Sequence, residues 1–308
     1  MSRSDLLFDR FRLITKLGEG SFGEIFKGID TVSNKLVAVK IERDKSGSHS
    51  QLKTEAKIYK EMDGTLINKS IRWPKMHCFG TNKNGDCMMV MDLLGPNVDF
   101  LLHKMKRGMF SPVAVAYFAE KMITLVERFH LSNFVHRDLK PQNFVIEYPY
   151  DHKYPRYPEI FLIDYGLAKA YMEPDKKTHA PFAQKKSLKG TVRYSSINTH
   201  LGIDQSRRDD MQSLGYIFLY MLLGKLPWQN LMKDRDKKEA YHLIMILKMK
   251  ISSEDLVEDV PHSIQKAMLS YILYVGSLMY HEKPNYEYCR SLFKDLASTF
   301  DGDIFKSP

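Results

Sequence analysis

The sequence predicts an α+β protein in which a small strand-rich part precedes a larger helix-rich part. Residues 11–42 are rich in alternating and β-branched side chains and are broken by glycines, as in a set of strands. From residue 111 onward, segments with helical spacing dominate. Strands first and helices later are typical of an α+β architecture, and the turn pair Gly95-Pro96 marks the boundary.

The chain has 308 residues, enough for two lobes that each bury a core. The predicted division is a first lobe over 1–94, a second lobe over 95–300 and a short C-terminal tail over 301–308. The first residues hold no apolar signal region, and the longest apolar stretch, 214–224, is too short to span a bilayer. We expect a monomer of the cytoplasm, the nucleus or both, without membrane insertion.

Several helices can be placed from their spacing. In the first lobe, a helix is predicted over 50–62, with Leu52, Ala56 and Tyr59 on one face. In the second lobe, the segment 111–131 begins with Ser111 as N-cap and a proline in the first turn. Other predictions are a buried strand from residue 87, an exposed Tyr- and Pro-rich loop over 147–159, a buried helix around 214–224 and a last helix from residue 286.

The net charge is +9, and residues 176–193 hold six cations and no acid. These cations are Lys176, Lys177, Lys185, Lys186, Lys189 and Arg193. A solvated surface is the ordinary interpretation, and a site for an anionic partner is the alternative. No nucleic-acid motif accompanies the stretch, so specific nucleic-acid binding is not predicted.

The stretch GEGSFGEIF, residues 18–26, fits the pattern G-x-G-x-x-G. Glycine clusters often only form turns. Here an alternating segment follows the glycines, so they belong to a hairpin and not to the helix start of a dinucleotide site. A glycine-rich hairpin lets backbone N–H groups approach phosphates closely. The stretch VAVK follows and ends at Lys40, a candidate for the α- and β-phosphates of ATP, with Glu55 on the next helix as its partner. A surface lysine and an exposed helix glutamate are the ordinary alternatives.

A second polar motif lies between two apolar pairs, in NFVHRDLKPQNFVI, residues 133–146. It matches H-R-D-x-x-x-x-N, in which Asp138 would accept the proton of a substrate hydroxyl and Lys140 would face the transferring phosphoryl group. Asn143 offers an oxygen to Mg²⁺. In the stretch IDYG, Asp164 follows an apolar strand and is a candidate second metal ligand, although Asp-x-Gly is also a common turn.

Together these elements form the protein-kinase signature set, and Asp210, which opens the buried helix, is placed to anchor the backbone of the framed loop. The sequence resembles a eukaryotic Ser/Thr protein kinase over nearly its whole length. More narrowly, it resembles the casein kinase 1 family in SINTHLGIDQSRRDDMQSLGY, residues 196–216, and in LLGPN, KPQNF, GTVRY and LPWQ. Asn198 stands where most kinases have the A-P-E glutamate, so the ion pair of that glutamate cannot form.

This resemblance implies a bilobal kinase fold, ATP and Mg²⁺ as cofactors, and transfer of the γ-phosphate to Ser or Thr. Preferred substrates would be acidic or already phosphorylated three residues upstream of the target, and activity would need no phosphorylation of the activation segment. The implied nucleotide-binding residues are Leu17, Gly18, Glu19, Gly20, Ser21, Phe22, Gly23, Ile25, Ala38, Lys40, Met91, Asp92, Leu94, Val145 and Ile163.

The resemblance also implies two substrate anion sites. The first would consist of Arg137, Lys169 and Lys186, and the second of Arg193 with either Lys237 or Lys238. A pseudokinase and a nucleic-acid binder are the competing functions. The presence of Lys40, Asp138, Asn143 and Asp164 argues against the pseudokinase.

Overall fold

The computed structural model describes residues 6–20, 23–43, 50–63, 72–105, 107–149, 157–173, 175, 177–233 and 235–303. The chain divides into two compact units. The first comprises Met1–Gly95 with the short segments Glu147–Pro149 and Ile163–Leu167. The second comprises Pro96–Ile146, Tyr150–Leu162 and Ala168–Pro308.

The first unit is built on a five-stranded antiparallel sheet. Its elements in chain order are β1 (Phe11–Gly20), β2 (Gly23–Asp30), β3 (Leu36–Glu42), the helix α1 (Gln51–Asp63), β4 (Met76–Thr81) and β5 (Cys87–Asp92). The strand order is β1-β2-β3-β5-β4. One face buries a cluster that includes Phe11, Val39 and Val90. The sequence did not predict β4, whose residues are only partly buried.

The helix α1 carries the predicted apolar face, because Leu52, Ala56 and Tyr59 are all buried. Its first turn is held by β3, since the Glu42 carboxylate accepts the backbone N–H of Leu52 at 2.7 Å. A carboxylate at a helix N-terminus satisfies orphan N–H groups and complements the helix dipole. This contact fixes where α1 begins relative to β3.

The second unit is mainly helical. Its elements are α2 (Val98–Lys104), α3 (Pro112–Leu131), β6 (Phe134–Val135), β7 (Phe144–Ile146), β8 (Ile160–Leu162), β9 (Lys169–Ala170), α4 (Ile197–His200), α5 (Arg207–Leu223), α6 (Lys237–Lys250), α7 (Ser253–Leu256), α8 (His262–Ser277) and α9 (Tyr286–Ala297). The short strands form two antiparallel pairs, β6 with β9 and β7 with β8.

Two helix predictions in this unit are confirmed. The Ser111 side chain accepts the N–H of Ala114, and a proline occupies the first turn of α3. The buried helix predicted around 214–224 is α5, most of whose side chains are buried, and it begins earlier than expected, at Arg207. The structure therefore has the predicted α+β class.

The Tyr- and Pro-rich loop lies only partly within the described residues, because 150–156 fall outside them. Its flanks agree with the prediction in part: Tyr148 and Tyr157 are exposed, whereas Pro158 is buried. Among the helices that the structure describes, none combines the length and hydropathy needed to cross a membrane.

Candidate active site

The framed loop of the second unit runs between the strands β6 and β7, so the two apolar pairs seen in the sequence are buried strand residues. The backbone of the loop is anchored on α5. The Asp210 carboxylate accepts the N–H of His136 at 2.7 Å and the N–H of Arg137 at 2.9 Å. Arg137 has a positive φ of 67°, a backbone conformation that costs free energy and persists only where surrounding contacts hold it. The contact predicted for Asp210 is present.

A buried imidazole extends this anchor. His130 contacts the Asp210 carboxylate through Nε2 at 2.9 Å and the Tyr286 hydroxyl through Nδ1 at 2.7 Å. Burial lowers the pKa of His130, so the neutral ring donates to Asp210 and accepts from Tyr286. Burial by itself would raise the pKa of Asp210, but the bonds from His130 and from the loop amide outweigh it and hold that pKa below its usual value.

The Asp138 side chain is buried, at 5% exposure, and both of its oxygens are engaged. Oδ1 accepts the backbone N–H and the hydroxyl of Thr191, both at 2.7 Å. Oδ2 accepts the Lys140 ammonium at 2.7 Å. The carboxylate is thus fixed in orientation by a neighbouring cation and by a residue 53 positions away in sequence. Fixed donors and dipoles are what electrostatic preorganisation requires.

Gly190 is needed for this close approach. Its φ is +92°, and a Cβ at this position would lie 2.3 Å from the Arg137 carbonyl oxygen and 3.3 Å from the Asp138 carboxylate. Both the backbone conformation and the lack of space therefore exclude a side chain. The glycine allows the segment that carries Thr191 to pass directly over the framed loop.

Asn143 is also buried, and its Nδ2 donates to the backbone oxygen of Asp138 at 2.9 Å. This bond uses the amide nitrogen, so the side-chain oxygen is the atom suited to bind a metal. Oxygen ligands of this type suit Mg²⁺, which usually takes one or two carboxylates together with phosphates and water. The donor chemistry of Asn143 and Asp164 fits that ion. Within the described residues, no group of three or more His, Cys, Asp or Glu side chains could hold a metal.

In the first unit, Lys40 and Glu55 form the expected pair, with Nζ and Oε1 2.7 Å apart. Burial raises the pKa of Glu55, and the Lys40 charge opposes that shift. Burial by itself would lower the pKa of Lys40, but Glu55 and Asp164 outweigh it and hold the lysine protonated. A protonated lysine with two further N–H donors fits a phosphate group.

Asp164 lies in the same unit with a positive φ of 70°. The next residue, Tyr165, is fully buried, and its ring lies 4.8 Å from the Tyr59 ring on α1. The backbone N–H of Tyr165 also binds the Glu55 carboxylate. The aromatic residue after Asp164 therefore packs against the helix that carries the Lys40 partner.

The glycine-rich hairpin is an antiparallel pair of β1 and β2, with Gly20 opposite Gly23. Gly23 has a φ of +129°, and a Cβ there would lie 2.1 Å from the Ile41 carbonyl oxygen, so only glycine fits. Leu17 is exposed and Ile25 is partly buried. The predictions for Ser21 and Phe22 lie outside the described residues.

The residues expected around the adenine ring fall in both units. Ala38 on β3 lies opposite Met91 on β5, and both are buried. The Asp92 side chain accepts the N–H of Lys75 and contacts His77, which fixes the end of β5 before Leu94. Ile163 also belongs to the first unit, whereas Val145 lies on β7 of the second.

One carboxylate interacts with two of the three residues of the first predicted anion site. Lys169 binds Asp204 at 2.5 Å, and Asp204 also attracts the Arg137 guanidinium. Lys186 is exposed, and its backbone N–H binds the carbonyl of Gly202, two residues from Asp204. Two of the three predicted cations, Lys169 and Arg137, therefore interact with Asp204, and Lys186 is tied through its backbone to the loop that carries it. The sequence analysis did not single out Asp204.

The second predicted anion site is less clearly formed. The Arg193 guanidinium lies 5.8 Å from the Tyr194 ring and 5.7 Å from the Tyr220 ring. Lys237 lies over Tyr241, at 5.6 Å, and Lys238 is exposed. Arg193 and Tyr241 share a cavity of about 510 Å³, which also reaches Lys140, Thr191 and Trp228.

Sequence reasoning missed Thr191 and Asp204. Thr191 carried a signal, because it lies in the GTVRY motif used for the resemblance, but nothing in the motif indicates a bond to Asp138. No sequence pattern indicated Asp204, because its partner Lys169 lies 35 residues away along the chain.

The first unit is strand-rich and holds a buried Lys–Glu pair, and the second is helical and holds an H-R-D-x-x-x-x-N loop. These features together are typical of a phosphotransferase. The family model described as "Protein kinase domain" matches residues 11–295 of this chain. The chain belongs to the protein kinase family. It therefore uses ATP as the phosphoryl donor and proteins as substrates.

Proposed function

We propose that this kinase is a serine/threonine kinase of the casein kinase 1 type, which acts on acidic or phosphate-primed proteins. The observation that carries the proposal is that Arg137 and Lys169 share the partner Asp204, while the backbone of the exposed Lys186 is bound to Gly202 in the same loop, all in the unit that holds Asp138. Arg and Lys donate charge-assisted hydrogen bonds to carboxylates and phosphates. The resemblance of residues 196–216 to casein kinase 1 supports the same substrate class.

In the proposed mechanism, Asp138 orients the substrate hydroxyl and accepts its proton. Thr191 and Lys140 hold the carboxylate while the hydroxyl approaches, and Lys140 offers positive charge to the transferred group. Lys40, kept in place by Glu55, binds the ATP phosphates together with N–H groups of the glycine-rich hairpin. Mg²⁺, held by Asn143 and Asp164, would supply charge neutralisation on the phosphates.

We propose further that the enzyme is active without phosphorylation of its activation segment. Two features support this. The Lys40–Glu55 pair is formed in the unmodified chain. The segment after Asp164 is held by backbone bonds, among them Lys186 N–H to Gly202 O and Asp204 N–H to Ala183 O, at 2.9 and 2.8 Å. We also propose that the protein is a monomer of the cytoplasm or the nucleus.

The proposal is tested with matched peptides that differ only at the acceptor (Ser, Thr or Tyr) and at the third residue upstream (phosphoserine, Asp or Ala). We expect phosphorylation of Ser and Thr by enzyme never exposed to another kinase, with phosphoserine preferred over Asp and Asp over Ala. Comparable turnover of the tyrosine peptide would overturn the Ser/Thr assignment. Equal kcat/KM for all three upstream residues would overturn the primed-substrate assignment.

Removing one cation of each anion site should weaken primed substrates selectively. For Lys186→Ala and Arg193→Ala, we expect kcat/KM on the primed peptide to fall about 10- to 150-fold, because a hydrogen bond to a charged group contributes roughly 1.5–3 kcal/mol. The unprimed peptide should change by less than about threefold, and the loss should shrink at high salt. Kinetics on both peptides at two salt concentrations measure the effect.

Lys177→Ala is the matched control, because Lys177 is an exposed lysine of the same basic stretch that belongs to neither predicted site. It should affect both peptides little and equally. Losses of similar size on primed and unprimed peptides for Lys186→Ala would mean that the lysine acts only through the general surface charge.

A further inference from the structure

Lys248, on α6, is a buried lysine at 5% exposure, and lysine is almost never fully buried without partners. Its ammonium has three acceptors. These are the carbonyl oxygen of Val192 at 2.9 Å, the carbonyl oxygen of Ser195 at 2.7 Å and Nε2 of His200 at 3.2 Å. An ammonium carries three N–H donors, so each donor has one acceptor.

Two aromatic rings complete the surroundings of this ammonium. Nζ lies 4.9 Å from the centroid of Tyr216 on α5 and 4.9 Å from that of Trp228. A cation over an aromatic face is attracted by the ring quadrupole, most strongly where water is excluded. Trp228 also donates its indole N–H to the Arg193 carbonyl at 2.8 Å. The rings and the carbonyls therefore belong to one buried arrangement.

The imidazole of His200 is suited to accept from this lysine. Burial, and then the nearby Lys248 charge, lower the pKa of His200 to about 3, so its ring is neutral at pH 7 and can offer a lone pair. Burial also lowers the pKa of Lys248 well below its ordinary value. The three acceptors and two ring faces all favour the ammonium form over the free amine.

The acceptors all lie in residues 192–200, the segment that follows Thr191 and ends with the helix α4. Thr191, which binds Asp138 through its N–H and hydroxyl, directly precedes the first of them. Arg193 lies between the two carbonyl acceptors. The uncharged Asn198 can form no ion pair. It donates a 3.3 Å bond to the Asp209 carboxylate, which also accepts the Ser196 hydroxyl at 2.6 Å. Lys248 adds a cation to the contacts that hold this segment.

We propose that Lys248 is a positioning residue, which anchors residues 191–200 through their carbonyls and so sets the orientation of Thr191 and Arg193. The part of this inference that concerns substrate rests on the proposed function. The anchoring itself does not, because it concerns only the order of the segment. The Lys248 ammonium, bound to two carbonyls and two aromatic rings, thereby stabilises the segment in which Asn198 can form no ion pair.

The test variants are Lys248→Met, Lys248→Arg and Lys250→Met. Methionine has a similar length and packs well against aromatic rings, but it offers no donor. Arginine keeps the charge, the donors and the stacking. Lys250, in the last turn of α6, is exposed, so Lys250→Met removes the same charge from the same helix without touching the anchor.

Amide hydrogen exchange of the full chain measures the anchoring without any substrate. In Lys248→Met, we expect the amides of residues 191–201 to exchange about 10-fold faster or more, because local opening reports the lost hydrogen bonds. Amides of α3 should be unchanged, and Lys250→Met should match wild type. Unchanged exchange in 191–201 for Lys248→Met, or an equal increase for Lys250→Met, would overturn the inference.

Peptide kinetics measure the consequence for substrate. We expect Lys248→Met to raise KM for the primed peptide about 10-fold or more while KM for ATP stays within about twofold. A lysine that only supports folding would lower the active fraction, and hence apparent kcat, with both KM values unchanged. That result would overturn the positioning role.

Lys248→Arg keeps the inference testable if the methionine variant does not fold. We expect the exchange rates and peptide KM of Lys248→Arg to lie closer to the wild-type values than those of Lys248→Met. If Lys248→Met does not fold, the Lys248→Arg values should lie within about threefold of wild type. Losses beyond that limit would show that charge and donors are not the cause, and would overturn the anchor. A wild-type chain inactive on every peptide would instead contradict the proposed function, and the exchange comparison would still decide the anchoring.

Discussion

Replacing Asp138 by Asn is expected to leave the fold and ATP binding intact while lowering kcat by about 100-fold or more. The new side chain has the same shape but cannot accept a proton, and a positioned general base contributes about 10²- to 10⁴-fold. It also replaces the carboxylate by a neutral amide, so the Lys140 ion pair is lost, and the NH₂ group faces either the Lys140 ammonium or the Thr191 donors seen at 2.7 Å. Single-turnover rates, the affinity for ATP and the melting temperature measure these expectations.

A graded series separates the base from its supports. Thr191→Val removes one donor to Oδ1 but keeps the backbone N–H, so we expect a loss of about 10-fold. Lys140→Met removes the cation at Oδ2, and its kcat should lie between those of Thr191→Val and Asp138→Asn. A kcat of the Asp138→Asn variant above about a tenth of the wild-type value would show that another group accepts the proton.

Replacing Lys40 by Met is expected to abolish turnover and also to destabilise the first unit. The lysine is lost as a phosphate ligand, and Glu55 keeps a buried carboxylate without its 2.7 Å partner. Breaking a buried ion pair from one side costs about 3–5 kcal/mol. Denaturant unfolding and kcat measure the two effects separately. The double variant Lys40→Met/Glu55→Leu should regain most of the stability and none of the activity.

This stability loss should depend on pH. Burial already raises the pKa of Glu55, and without Lys40 that pKa rises further above the unfolded value of about 4.3. The unfolded state then releases a proton that the folded state retains, so folding weakens as pH increases above about 4.3. We expect the difference between wild type and Lys40→Met to be larger at pH 7.5 than at pH 4.5. A difference that is larger at the lower pH would contradict the buried, uncompensated carboxylate.

The sequence by itself determined the features that depend on local order. The H-R-D-x-x-x-x-N loop brings Asp138 and Asn143 together within a few residues, where the bond from Asn143 to the Asp138 carbonyl forms. The apolar pairs on either side of the loop were visible in the sequence, and they are buried residues of the strands β6 and β7. The Lys40–Glu55 pair followed from the order of a glycine-rich hairpin, a strand and a helix, and the α+β class followed from the order of strands and helices.

Only the tertiary structure decided the contacts between distant segments. Thr191 reaches Asp138 because Gly190 has no side chain. Asp204 binds Lys169 and attracts Arg137, two cations that belong to separate segments of the chain. The short strand β9 has two residues, too few for a periodic pattern, and depends on pairing with β6. In the sequence, Lys248 is one of several lysines of α6 and nothing distinguishes it. The linear pattern cannot show that its ammonium binds two carbonyls that lie 56 and 53 residues away. Such contacts arise from packing, which orders segments without regard to their separation along the chain.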